Sequence, residues 1–122
     1  MQVSHPRVKE GATSLSLLLV LDGVWLTLAR RIYPRLESVV LWYGLLAWVA
    51  IAAAISAGRP TTSEEAILWG GGVGLLSYAV FNGTEMAIRS DWRGKVAVFD
   101  LLWGTVACSS VSLASFHISR IL

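Results

Sequence analysis

"GGGVGLLSYAVFNGTE", residues 70–85, decides how this chain is read. Gly70, Gly74, Tyr78 and Asn82 recur every four residues, and Glu85 follows three later. That recurrence places them on one face of an α-helix. The far half of the face is glycine, so another backbone can approach closely, as in small-xxx-small packing between membrane helices. The near half is Tyr78, Asn82 and Glu85, polar groups that need partners. The stretch asks for a neighbouring helix that is small at one end and polar at the other.

Residues 100–115 supply one. Asp100, Gly104, Cys108 and Ser112 also recur every four, and Ser115 and Ser119 continue the face. Run antiparallel, the two faces match: Gly70 and Gly74 against Gly104, Cys108 and Ser112, with Asn82 and Glu85 near Asp100. A tight pair is expected.

The rest of the chain fits the same frame. Of 122 residues 55% are hydrophobic and 15% charged, and the mean hydropathy is +0.62. That composition points to a membrane protein rather than a soluble domain. Four apolar segments, about 12–29, 39–57, 66–88 and 96–116, each come close to the roughly 20 residues that cross a bilayer as a helix. Short connections, "RRIYPRLES", "GRPTTSEE" and "RSDWRGK", force neighbours to run antiparallel. The expected fold is all-α, a single integral membrane domain of four antiparallel transmembrane helices spanning residues 1–122. In the second connection Gly58 is placed to end a helix and Thr62 or Ser63 to cap the next, with Glu64 and Glu65 in its first turn. The first apolar segment is a poor signal peptide, because Asp22 and Trp25 interrupt it and "TLARRIY" is a poor cleavage site.

Lys and Arg set the expected sidedness. Arg30, Arg31, Arg35, Arg89, Arg93 and Lys95 lie in the first and third connections, against Arg7, Lys9, Arg59 and Arg120 at the termini and second connection. The positive-inside rule puts loops 30–38 and 89–95 in the cytoplasm and both termini on the opposite side. Trp42, Tyr43, Trp69 and Trp92 lie near span ends, where aromatic belts form.

The polar residues converge in depth. At about 1.5 Å per residue, Asp22 lies about 12 Å from Arg30, Asn82 about 10 Å and Glu85 about 6 Å from Arg89, and Asp100 about 7.5 Å from Lys95. All belong to the membrane half that faces the basic connections. Acids facing lipid are costly, so they should face the interior, share hydrogen bonds, or pair with arginines. Simpler roles are also open. Asp100 is near the first turn of its helix, and Glu85 can pair with Arg89 at i+4. "LDGVWL" (21–26) and "VFDLLWG" (98–104) repeat one Asp-x-x-Trp spacing on helices of opposite direction. That places Trp25 nearer the basic surface and Trp103 deeper.

"LDGVWL", "YAVFNGTEMAIRSDW" and "VFDLLWGT" together resemble an uncharacterised family of predicted four-span membrane proteins found in bacteria and some large DNA viruses. The resemblance covers about residues 15–110. It implies that Asp22, Trp25, Tyr78, Thr84, Trp92, Asp100, Trp103 and Gly104 fall on family motif positions. This chain departs from the family at two places: Asn82 stands where the family typically has Asp, and Glu85 where it has Asn.

No enzyme is expected. "GGGVG" lacks the Lys-Ser/Thr ending of a phosphate loop, and "NGT" at 82–84 lies inside a span rather than at a glycosylated surface. His5 and His117 show no metal spacing, and His117 lies at the opposite end of its helix from Asp100. No cofactor, metal or nucleic-acid partner is expected, and single Cys108 excludes an internal disulfide. The expected partners are the lipid bilayer and other membrane subunits or further copies of the chain. The expected function is a structural or anchoring component of a larger membrane assembly, in a bacterial inner membrane or an internal viral membrane. The alternative is a small proton- or cation-conducting homo-oligomer that uses Asp22, Glu85 and Asp100.

Overall fold

The computed structural model describes residues 4–29 and 41–121. They form four helices: α1 (Ser4–Ala29), α2 (Leu41–Ala57), α3 (Ser63–Ile88) and α4 (Gly94–Ile121). No strand occurs among the described residues. Loop 30–38, and residues 39–40 of the second expected span, lie outside them. The helices outrun three of the apolar segments that announce them. α1 begins at Ser4 rather than Ala12, α3 at Ser63 rather than Ala66, and α4 continues to Ile121 rather than Phe116. Helical hydrogen bonding does not stop where hydrophobicity stops.

α3 and α4 are long and apolar enough to cross a membrane, while α1 and α2 carry the shorter apolar stretches Gly11–Trp25 and Leu45–Ala57. The surface is correspondingly apolar. Leu68, Leu76, Val80 and Ile88 on α3 are each about 70% exposed or more. The interior holds polar side chains: Ser14, Asn82, Asp100, Ser112 and Ser115 are buried. An apolar exterior with these polar side chains kept inside suits a lipid solvent, where apolar groups need no shelter and polar groups do.

Local sequence accounts for the helix ends. Thr62 caps α3, accepting a hydrogen bond from the Glu65 N–H at 3.1 Å. Glu65 reaches back to accept from the Thr61 N–H at 2.8 Å and the Thr61 hydroxyl at 2.9 Å. Amide donors left over at the helix start are thereby satisfied. α2 stops at Ala57, and Gly58 follows. The left-handed backbone position falls one residue later, on Arg59 (φ 47°). Gly58 has a different reason to be glycine: a Cβ there would run into the Trp69 indole, which donates to the Ala54 carbonyl at 2.8 Å. This contact pins α3 to the end of α2.

α3 and α4 form the most extensive interface, and α4 also packs against α1. Contacts pair Gly70 with Cys108 and Ser112, Gly74 with Gly104, Tyr78 with Gly104, and Asn82 with Asp100. The α3 number rises as the α4 number falls, so the two run antiparallel in a single register. Ser14 meets Ser115 and Trp25 meets Trp103, so α1 is antiparallel to α4 as well. At mid-height Leu18, Ala52, Ile55, Tyr78, Cys108 and Val111 form a buried apolar layer with members from all four helices.

Candidate functional site

The site is built on the end of the α3–α4 seam nearest their connection. One helical turn separates Tyr78 from Asn82, and the seam's four-residue register brings Asn82 opposite Asp100. The Asn82 amide nitrogen donates to Asp100 Oδ2 at 2.7 Å and to the Tyr78 carbonyl at 2.8 Å. Its carbonyl oxygen accepts from the Trp92 indole N–H at 2.9 Å. Asn82 therefore spends both amide hydrogens and its oxygen on buried partners. Asn82 is 1% exposed and Asp100 5%. Hydrogen bonds out of water are electrostatically stronger than the same bonds in water.

Trp92 lies in the connection between α3 and α4, with no helical period to predict its direction. It folds back under the seam, edge-on to Phe81 (centroids 5.7 Å apart, planes at 86°), with the Arg89 guanidinium 5.3 Å from its ring centre. Sequence spacing did not place it in the polar cluster. The one available signal was the resemblance, which implies a motif position for Trp92.

Glu85 stays outside this network. It is partly exposed and pairs with Arg89 at 3.5 Å, one turn on. Of the two roles open to it from sequence, the structure selects the local ion pair. Arg89 also makes a two-pronged contact with Asp91, at 3.0 and 2.9 Å. The Arg89 guanidinium holds the exposed Asp91 carboxyl below its ordinary value. Three residues carry Glu85 about 60° around the helix from Asn82, away from the centre of the seam.

Asp22 approaches from α1 and is half-buried. It faces the Trp103 indole N–H and lies within electrostatic reach of Asp100. The approach falls short of a well-formed hydrogen bond, since the buried Trp103 Nε1 makes none. Trp25 and Trp103 stack with centroids 4.6 Å apart and planes 5° from parallel. The Asp-x-x-Trp spacing on antiparallel helices thus crosses over: the acid of α1 meets the tryptophan of α4. Trp25 and Trp103 were expected at different depths. Long side chains close that stagger, and the rings share a layer.

The small residues of the seam do what their size allows. A Cβ on Gly74 would strike the Gly104 carbonyl, one on Gly70 the Cys108 carbonyl and the Ser112 side chain, and one on Gly104 the Tyr78 ring. Cys108 and Ser112 are buried beside them. Thr84, for which the resemblance also implies a motif position, is exposed and returns its hydroxyl to the Val80 carbonyl at 2.8 Å. No group of three or more His, Cys, Asp or Glu side chains suited to a metal occurs among the described residues.

A model of one protein family matches residues 10–117, nearly the whole chain. The chain belongs to the family described as Predicted membrane protein (DUF2177). No curated protein and no solved structure matches it. Membership in DUF2177 agrees with the apolar exterior and with two helices able to span a bilayer. The DUF2177 description carries no activity, so the chemistry rests on the residues themselves. Hydrogen-bonded amide, carboxylate and indole, closed off from solvent, form a strong clamp between two helices.

Proposed function

We propose that this protein crosses the membrane four times and acts as a non-enzymatic structural or anchoring subunit of a larger membrane assembly. Its bilayer is a bacterial inner membrane or an internal viral membrane, with loops 30–38 and 89–95 on the cytoplasmic side. The observation that carries this reading is the engagement of Asn82, with both amide hydrogens and the carbonyl oxygen committed to Asp100, Tyr78 and Trp92. A relay needs groups that exchange partners, whereas a saturated network fixes helix register. With its polar groups turned inward, the protein has an apolar exterior to offer lipid and neighbouring subunits.

Asp22 favours a second reading. It is half-buried, stands outside the Asn82 network and faces Asp100. Acids at such depth often serve ion or proton pathways, and a homo-oligomer would supply the enclosure that four helices lack. Reconstitution in liposomes, with proton and cation flux measured beside Asp22→Asn, separates the two. The subunit reading expects no flux, and co-purification in fixed ratio with a larger complex. Flux abolished by Asp22→Asn would overturn it in favour of the carrier.

A further inference from the structure

Beyond the acidic layer, the opposite end of the interior holds a second polar cluster built from hydroxyls. Ser14 of α1, Ser56 of α2, and Ser112 and Ser115 of α4 line a cavity of about 10 Å³, together with Ile55 and with Pro60 of the α2–α3 connection. Several other hydroxyls of the four helices return to their own backbone. Ser16, Thr27, Thr84 and Thr105 each donate to the carbonyl four residues back at 2.8 Å, the usual way to satisfy a hydroxyl within a helix. Ser112 does otherwise. It is 2% exposed, and its Oγ is buried without a hydrogen-bond partner. The Cys108 carbonyl, four residues back, lies against Gly70 in the seam.

We propose that this cavity is a binding site for one water molecule, which joins α1, α2 and α4. The volume matches the minimum that a single water requires, and such a water needs two to four polar partners. The walls supply them. Ser112 offers a hydrogen and lone pairs. Ser14 and Ser115 share one hydrogen at 2.8 Å, which leaves the pair a second hydrogen and free lone pairs. Ser56 donates to the Ala53 carbonyl at 3.0 Å and so can accept from the water. The bound water satisfies Ser112, which otherwise bears the cost of a buried hydroxyl without a partner. No carboxylate lines the cavity among the described residues, so the site suits a neutral guest; neutral hydroxyls compensate poorly for stripping an ion of its hydration.

The test is a crystal structure of the full chain grown from a lipid mesophase, at a resolution that shows ordered water. The expected result is a density peak at hydrogen-bond distance, about 3 Å, from Ser112 Oγ and from at least one other serine hydroxyl. Absence of a peak in the cavity would overturn the proposal. So would an anomalous peak there after soaking with thallium(I), which would identify a monovalent cation. In Ser112→Val the side chain fills the cavity and the peak should vanish. Should that variant fail to fold, Ser112→Ala is read instead, and a peak unchanged in position would reject Ser112 as its partner. Thermal unfolding in detergent should give the same midpoint in sodium chloride and choline chloride; a rise specific to sodium would overturn a neutral guest.

Discussion

α4 presents one face to α3 and another to α1, and the two contacts are made differently. Against α3 it brings Gly104, Cys108 and Ser112 up to Gly70 and Gly74, so main chain lies on main chain. Against α1 it uses long side chains, the Trp25–Trp103 stack and the Ser14–Ser115 hydrogen bond. In lipid no hydrophobic force drives two helices together, and association rests on close packing and polar bonds. The glycine seam uses both at once and has no slack. The α1 contact is spaced by side chains that can change rotamer, and it leaves Asp22 half-buried at its edge.

The largest expected effect breaks the seam. Gly74→Val drives a branched side chain into the Gly104 carbonyl, and overpacking of this kind costs about 3 kcal/mol or more. Cys108, the single cysteine and fully buried beside this contact, provides the readout. Its thiol should resist a maleimide in the parent protein and react in Gly74→Val. Gly72, where an added Cβ meets nothing within 4 Å, is the control. Gly72→Ala should leave Cys108 protected and the unfolding midpoint unchanged or raised.

Asn82→Leu should come next. It removes one hydrogen bond from Asp100 and one from the Trp92 indole together, and each such bond contributes about 0.5–1.5 kcal/mol. A double-mutant cycle with Asn82→Ala and Asp100→Ala, followed by unfolding in mixed micelles, should give a coupling of about 1 kcal/mol. A coupling near zero would mean that the network adds nothing to the glycine contact.

The α1 face should be more forgiving. Trp25→Leu removes the stack with Trp103, worth about 0.5–1.5 kcal/mol beyond burial, and should lower the thermal midpoint less than Gly74→Val. The reverse order would refute the contrast between a rigid and an adaptable face.

The smallest effect lies at the start of α3. Thr61, through its N–H and hydroxyl, holds the exposed Glu65 carboxyl below its ordinary value of 4.5. A carboxyl whose folded value is depressed stabilises above its unfolded value. That stability is lost as pH falls through the folded value. Stability measured between about pH 6 and pH 3 should therefore decline more in the parent than in Glu65→Gln. Equal declines would show that this cap contributes nothing.

Much of the seam is legible in the sequence. Gly70, Gly74, Tyr78 and Asn82 repeat with the period of a helix, as do Asp100, Gly104, Cys108 and Ser112, and a short connection leaves few ways to face them. Glu85 was harder. Three residues from Asn82 is near enough to share a face in a spacing argument, yet Arg89 one turn on offers a closer partner. Trp92 sits in a connection, where no period announces direction. The hydroxyl cluster of Ser14, Ser56, Ser112 and Ser115 draws on three helices and depends on how α1 and α2 are rotated about their axes.

Sequence alone therefore determined that the chain is helical and apolar outside, that its intramembrane polar residues turn inward, and which faces of α3 and α4 meet. Period and composition are local properties, and a short connection extends them to one neighbour. Only the tertiary structure decided that Asn82 is the centre of the polar layer, that Glu85 leaves it for Arg89, and that Asp22 meets Trp103 rather than Asn82. Those outcomes turn on helix rotation and side-chain reach. Competition among all the partners in the folded chain settles both, and no spacing within one segment encodes them.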